Sequence, residues 1–307
     1  MVINDAKLFG RIVTAMVTPF DENGEIDYAS VERIVEYLVK NKTQTILVAG
    51  TTGESPTLSS EEKIALLKKV IQFADGRVRV IFGSGSNNTE SSITLSKEAE
   101  SAGAEGLLIV APYYNKPSQA GIIAHVQAIS ESTDLPVIVY NIPGRCGINI
   151  EPNTMIRIAS ECPRVLAIKD SAGNVDQTAE LAAKVESDKF RIYSGDDYLT
   201  LPMLSVGACG VVSVASHIIG SQIGDMIDAY FEGDSEKARS IHYNYLPVFK
   251  GLFLAPNPTC LKYVLSRMGL MGAKLRLPLV PLSDAEKLKV DKMIEEAGLL
   301  SQTSIEK

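Results

Sequence analysis

Short, nearly unbroken runs of apolar and β-branched residues alternate with longer amphipathic stretches through the first three quarters of this chain. The runs fall at residues 12–17, 45–49, 78–82, 106–110, 137–140, 165–169, 191–194 and 210–214. Most lack the polar alternation of a half-exposed strand, which predicts parallel strands buried on both faces. The stretches between them carry helix start signals. Ser59-Ser-Glu-Glu62 opens one helix, Ser118 caps another, and Pro152 sits near the start of a third. Eight such cycles end near residue 231, at about 29 residues each, close to the size of one βαβ unit.

No polar linker divides the eight cycles, so the pattern predicts a single (β/α)8 TIM barrel over residues 1–231. A doubly wound sheet is the structural alternative. Its dinucleotide fingerprint would follow an early strand, but Gly83-Ser-Gly85-Ser-Asn-Asn88 lacks the third glycine, and no acidic partner ends the next strand. Beyond residue 232 the strand signals stop. Helical patterns at 235–249, 259–268 and 283–297, separated by proline-rich segments, predict a C-terminal helical appendage over 232–307. It would cover the barrel or make subunit contacts.

Composition narrows the class of protein. With 307 residues, 45% hydrophobic and 22% charged, the chain can bury a large core, which excludes disordered, collagenous and disulfide-stapled architectures. Thirty Lys and Arg against 37 Asp and Glu leave a net charge of −7, unsuited to a nucleic-acid surface or a basic membrane-binding helix. Residues 198–224 contain no charged side chain, but Pro202, four glycines, serines and His217 interrupt them. This predicts helix, buried strand and loop rather than a membrane span. Cys146, Cys162, Cys209 and Cys260 are widely spaced, with no C-x-x-C and no Cys/His ligand spacing, as expected of reduced thiols. The opening Met-Val-Ile-Asn-Asp lacks the basic and apolar regions of a signal peptide, so a cytoplasmic protein is expected.

In a barrel of this kind the reacting groups lie at the C-terminal ends of the strands. Lys169 ends the apolar run that starts at Val165, so its ammonium would project into the barrel mouth beside low-dielectric walls. Desolvation there lowers a lysine pKa and makes the amine nucleophilic enough to form a Schiff base with a carbonyl. The same position also suits a lysine paired with Asp170 at the sheet rim. Tyr140, one strand away, offers a phenol for proton transfer, or packs at the rim. The hydroxyls of Thr51 and Tyr114 could link it to solvent. Thr51 and Thr52 are turn residues whose hydroxyls and amides also suit a small carboxylate. Arg145, after Pro-Gly, suits a second carboxylate in bidentate fashion, or sits free at the surface.

Other constellations are weaker. Asp196-Asp197 before a helix reads as an N-cap with dipole-favoured charges, and no metal is expected there. His125, His217 and His242 show no ligand spacing, and His217, just past the eighth strand, reads as structural. Cys146 has no evident histidine base, so no thiol nucleophile is expected.

Five motifs carry a family resemblance: Gly50-Thr-Thr-Gly-Glu-Ser55, Pro112-Tyr-Tyr-Asn-Lys-Pro117, Tyr140-Asn-Ile-Pro-Gly-Arg145, Ile168-Lys-Asp170 and Gly195-Asp-Asp197. In this order, over about residues 9–300, they resemble the pyruvate-dependent class I aldolase superfamily, which holds the dihydrodipicolinate synthase and N-acetylneuraminate lyase families. The paired Thr51 and Thr52, Tyr113-Tyr114 and Arg145 resemble the first family; the lyases usually show Ser-Thr in the first motif and lack that arginine.

The resemblance implies pyruvate and aspartate semialdehyde as substrates, no metal or organic cofactor, and a homotetramer built as a dimer of dimers. Lys169 would form the imine with pyruvate. Tyr140, Thr51 and Tyr114 would form the proton relay, with Tyr114 entering the neighbouring subunit's site. Thr51 and Thr52 would hold the pyruvate carboxylate, Arg145 the semialdehyde carboxylate, and backbone groups of Gly195 and Val212 would complete the pocket. Lysine-inhibited members carry His and Glu ligands after the second and third strands. The corresponding region here has Ser55, Pro56, Ser60, Lys63, Asn87 and Ser91, with Glu90 adjacent. Lys63 would repel a lysine ligand, so feedback inhibition is expected to be weak or absent. Two alternatives remain at this stage: a class I aldolase acting on a 2-keto-3-deoxy sugar acid or N-acetylneuraminate, and a non-catalytic barrel that binds a keto acid.

Overall fold

Each apolar run forms a strand, and its residues divide by parity between two cores. In the computed structural model, which describes residues 8–299, the strands are β1 (Ile12–Ala15), β2 (Thr45–Val48), β3 (Arg79–Gly83), β4 (Leu107–Val110), β5 (Val137–Asn141), β6 (Val165–Asp170), β7 (Arg191–Ser194) and β8 (Gly210–Ser213). They pair in parallel in chain order, and β8 closes on β1. A closed parallel barrel excludes the doubly wound alternative. Residues 1–5, read above for signal-peptide features, lie outside the described span.

Val13, Leu47, Ile81, Leu108, Ile138, Ala167, Tyr193 and Val212 point inward and pack around one another over Phe9, which plugs the N-terminal end. Their neighbours Ile12, Ile46, Val80, Leu107, Val137, Val165, Ile192 and Val211 point outward, into the layer between sheet and helices. Continuous apolar strands are the expected result when both faces are dry. The Gly83-Ser-Gly85 segment, tested above as a nucleotide loop, serves close packing instead. A Cβ on Gly83 would lie 2.5 Å from the Ala49 carbonyl oxygen, and one on Gly85 would lie 2.4 Å from the Val110 nitrogen.

The helices start where their caps predict. Ser59 and Glu62 form a reciprocal capping box on the helix Ser60–Ala74, Ser118 accepts from the Gly121 amide, and Pro152 opens the helix Pro152–Glu161. Such caps are worth about 1 kcal/mol each. The last barrel helix is Ser216–Phe231, and the helix Ser235–Gly251 packs along it. The helices Thr259–Arg267 and Asp284–Glu296 follow, and their buried faces (Leu261, Val264, Val290, Ile294) join the barrel's outer apolar layer. Residues 198–224 form the short helix Thr200–Leu204, strand β8 and the start of the next helix. Among the described residues no helix is long and apolar enough to cross a membrane.

Candidate active site

A bulge aims Lys169. Val137 pairs with Val165, but the next residue, Ile138, pairs with Ala167, so β6 carries one extra residue at Leu166. Strict alternation would put Val165, Ala167 and Lys169 on one face; the bulge leaves Val165 outside and turns Ala167 and Lys169 inward. Lys169 then sits in register between Tyr140 of β5 and Tyr193 of β7. Its Nζ lies 4.1 Å over the Tyr140 ring, and the residue is only 6% exposed. The position following β7 is Gly195, where a Cβ would collide with the Ser171 side chain and crowd the Asp170 carbonyl at 3.1 Å.

Burial lowers the Lys169 pKa to about 8; the Asp196 and Asp197 carboxylates oppose that shift and the Arg145 charge adds to it. Burial likewise raises Asp196, to about 6, with the Lys169 charge pulling the other way. The Tyr140 phenol is pushed well above its ordinary value, mainly by burial. Asp170 is not the lysine's partner. It faces the opposite side of β6, where it accepts from Asn141 Nδ2 (3.2 Å), the Ala172 amide (3.1 Å) and Thr178 Oγ1 (3.1 Å).

The expected N-cap at Asp196-Asp197 holds by position, since Asp196 precedes the short turn Asp197–Leu199, but not by bonding. The Asp196 side chain makes no capping bond to the short turn that follows it. Asp197, fully buried, accepts from Ser213 Oγ and from the amides of Val214 (3.1 Å) and Ala215 (2.9 Å), and so fastens the turn after β8. Asp196 is thereby left facing the lysine, a feature that its dipeptide context concealed. His217 is structural: Nδ1 bonds the Val214 carbonyl, Nε2 accepts from the Val17 amide, and burial drops its pKa to about 4. Cys146 donates to the Ala111 carbonyl, and burial raises its thiol to about 11.

A cavity of about 770 Å³ opens over this end of the barrel. Thr51, Tyr114, Tyr140 and Arg145 all line it. Lys169 does not line it but lies against the ring of Tyr140, which does. Thr52, Gly195 and Val212 do not line it: Thr52 is buried, Val212 sits in the inner core, and the Gly195 amide donates to the Asp170 carbonyl (2.8 Å). Arg145 is exposed at the rim, on the short helix Pro143–Cys146 that follows β5.

Two loops at the mouth hold strained backbone. Among the described residues six non-glycine residues have positive φ; Ala49 and Glu54 bracket the loop after β2, and Tyr114 and Lys116 lie in the loop after β4. An alanine or tyrosine in this region costs about 1–2 kcal/mol, so both loops at the mouth store strain. In the first loop Gly53 and Ser55 donate to the Gly50 carbonyl, and Thr18 Oγ1 donates to that of Gly53 (2.7 Å). Among the described residues, the amides of Thr51 and Thr52 donate to no protein acceptor. Two free N–H groups beside two hydroxyls suit an anion.

The dihydrodipicolinate synthetase family model matches residues 8–297, nearly the whole chain. The chain belongs to the dihydrodipicolinate synthetase family. A 4-hydroxy-tetrahydrodipicolinate synthase of Bacillus subtilis is 50% identical over 288 residues, covering 94% of this chain and 99% of the relative. The dihydrodipicolinate synthase of Bacillus anthracis superposes with a TM-score of 0.91 at 48% identity, over 95% of this chain and 98% of the other. A third member, from Cyanidioschyzon merolae and solved with lysine bound, superposes at 0.93 with 44% identity, over 95% and 99%. As a member of the dihydrodipicolinate synthetase family, this protein is an enzyme, a lyase of the class I aldolase type.

Proposed function

We propose that this protein condenses pyruvate with aspartate 4-semialdehyde to give 4-hydroxy-tetrahydrodipicolinate, the step its Bacillus relative is named for. The observation that carries the reading is the buried amine of Lys169, 4.1 Å over the ring of Tyr140, which lines one cavity with Thr51 and Arg145. The relatives' shared name favours this pair of substrates over a sugar acid, and a buried imine-competent lysine beside a phenol argues against a passive binding barrel.

In this reading the Lys169 lone pair attacks C2 of pyruvate, and the carbinolamine loses water to give a protonated imine. That cation draws the C3–H electrons inward and yields an enamine. The enamine carbon attacks the aldehyde carbon of the semialdehyde, whose oxygen takes up a proton. The semialdehyde amine then adds to the imine carbon, closing the ring and expelling Lys169 as a free amine. Tyr140 moves these protons, and Thr51 and Tyr114 pass them to solvent. Thr51 and Thr52 hold the pyruvate carboxylate and Arg145 that of the semialdehyde, with backbone groups of Gly195 and Val212 completing the pocket. Pyruvate is an anion and the semialdehyde carries a carboxylate, while the chain carries a net −7, so attraction of these carboxylates is local, from Lys169, Arg145 and the loop amides.

The assembly we propose is a dimer of dimers in which each Tyr114 serves a neighbour's site. Tyr114 is 89% exposed on a left-handed turn, which suits contact with a neighbouring chain. Residues 1–231 act as the catalytic barrel and 232–307 as its helical support. The buried thiols of Cys146, Cys162 and Cys260, none of them in a disulfide, fit a cytoplasmic setting. The cavity extends past Thr51 to Ser55, Ser60, Ser91 and the half-buried Lys63, so free lysine meets a like charge there and inhibits weakly or not at all. Inhibition by millimolar lysine in a steady-state assay would overturn that last point.

A coupled assay with both substrates, comparing the parent with Lys169→Ala, tests the central reading, together with borohydride trapping in pyruvate alone. A reduced pyruvate adduct on Lys169 and an inactive alanine variant are expected. No adduct on Lys169, or turnover of a sugar acid but not the semialdehyde, defeats it. Dilution to monomers should also lower specific activity; full activity in a monomer contradicts the shared Tyr114.

A further inference from the structure

The loop that carries Thr51 and Thr52 belongs to the barrel, but its fastenings come from the C-terminal helical region. Asn257 lies between the helices Ser235–Gly251 and Thr259–Arg267 and donates from Nδ2 to Thr52 Oγ1 over 2.9 Å, with both residues buried. Two residues on, the Glu54 carboxylate meets Lys262 Nζ at 2.5 Å, and neither side chain is more than 1% exposed. The other Glu54 oxygen accepts from the Arg276 amide (3.1 Å). Lys262 donates as well to the Lys274 carbonyl (2.9 Å) and lies 4.1 Å over the Phe20 ring. The loop is thus gripped at Thr52 and at Glu54 by residues more than 200 positions away in the chain.

A threonine hydroxyl has one proton to give and two lone pairs to receive with. The Asn257 amide fills one lone pair, so the Thr52 proton is not drawn toward Asn257 and is available to an anion beside the loop. The unengaged amides of Thr51 and Thr52 add to the same side. We infer that Asn257 is a positioning residue for pyruvate: by donating to Thr52 Oγ1 it orients the Thr52 hydroxyl toward the pyruvate carboxylate, while the Lys262–Glu54 pair holds the end of the loop. The inference rests on the function proposed above. It gives residues 232–307 a part in substrate binding beyond covering the barrel.

Neither Asn257 nor Thr52 lines the cavity as Thr51 does, so the effect of Asn257 passes through Thr52 and the loop that Thr52 shares with Thr51. Asn257→Ala should raise the pyruvate KM about tenfold, the worth of one oriented hydrogen bond to a charged group. The KM for aspartate semialdehyde and the kcat at saturating pyruvate should stay within about twofold, since the reacting amine is untouched. Asn257→Asp is nearly isosteric and should fold as the parent does. Its carboxylate accepts the Thr52 proton, so the pyruvate KM should rise further, about a hundredfold. Thr52→Val removes the hydroxyl, and in that background Asn257→Ala should add nothing, because the two residues act as one unit.

Additive losses in the double variant, or an unchanged pyruvate KM in Asn257→Asp, overturn the inference. A fall in kcat alone also overturns it, because that assigns Asn257 a purely structural role. Borohydride trapping of the parent separates this failure from that of the parent reading. An adduct on Lys169 with an unmoved KM sinks only the role of Asn257, whereas no adduct sinks both.

Discussion

If the amine of Lys169 must be neutral to attack pyruvate, imine formation should follow its titration. Burial moves that amine from 10.5 to about 8. At pH 7 about one molecule in ten then carries the free base, against roughly three in ten thousand for an ordinary lysine, a gain of about 300-fold. Pyruvate stays ionised across the range, so the pH profile belongs to the protein. The initial rate of imine formation at limiting pyruvate should rise about ninefold from pH 6 to 7, about fivefold from 7 to 8, and less than twofold from 8 to 9. Quenched reduction with borohydride, followed by intact mass, measures it. Asp196 supplies a second arm. Its negative charge helps to keep the proton on Lys169, so Asp196→Asn should move the midpoint down and speed imine formation at pH 7. A rate that is flat from pH 6 to 8, or a midpoint near 10, would refute the reasoning. So would a midpoint that rises in Asp196→Asn. The same shift bears on stability. Between about 8 and 10.5 the unfolded chain binds the extra proton, so the penalty for burying this lysine is full below pH 8 and fades as the pH rises through that window. It amounts to about 1.4 kcal/mol per unit, or about 3 kcal/mol in all.

Four further outcomes are expected. Tyr140→Phe should keep the barrel folded and lose about a hundredfold or more in kcat, with the trapped adduct still forming slowly; a kcat within threefold of the parent would remove Tyr140 from proton transfer. Arg145→Ala should raise the KM for the semialdehyde about tenfold or more while leaving that for pyruvate nearly unchanged, as steady-state kinetics with each substrate varied will tell. Burial of the Cys146 thiol, raised to about 11, should leave it unalkylated at pH 8 in the native protein and reactive only after denaturation. Lys262→Met should strand the buried Glu54 carboxylate and cost about 3–5 kcal/mol in urea unfolding; a loss under 1 kcal/mol would mean that water reaches Glu54.

Much of this protein is legible in its sequence because the barrel repeats one local rule. Eight apolar runs, each too evenly buried to alternate, announced parallel strands, and the capping signals at Ser59, Ser118 and Pro152 marked helix starts to within a residue. A lysine at the end of one such run stood out for the same reason, since few charges end a dry strand. Family membership was legible in five short ordered motifs. That Thr51, Tyr140 and Arg145 stand near one another was an inference from strand ends, and in the closed barrel all three line one cavity.

Tertiary structure alone decided the rest. The bulge at Leu166 turns Lys169 inward, and simple alternation would have left its face tied to that of Val165. Bulges depend on how neighbouring strands pair, so no local pattern announces them. Asp196 and Asp197 look alike in sequence, yet the turn after β8 claims the second and leaves the first to the amine. Asn257 and Lys262 looked like residues of a helical appendage, and only the closure of the chain sets them against Thr52 and Glu54. Periodicity and capping act within a few residues and can be read along the chain. The orientation and charge of a reacting group depend on burial and on partners hundreds of residues away, which exist only once the barrel has closed.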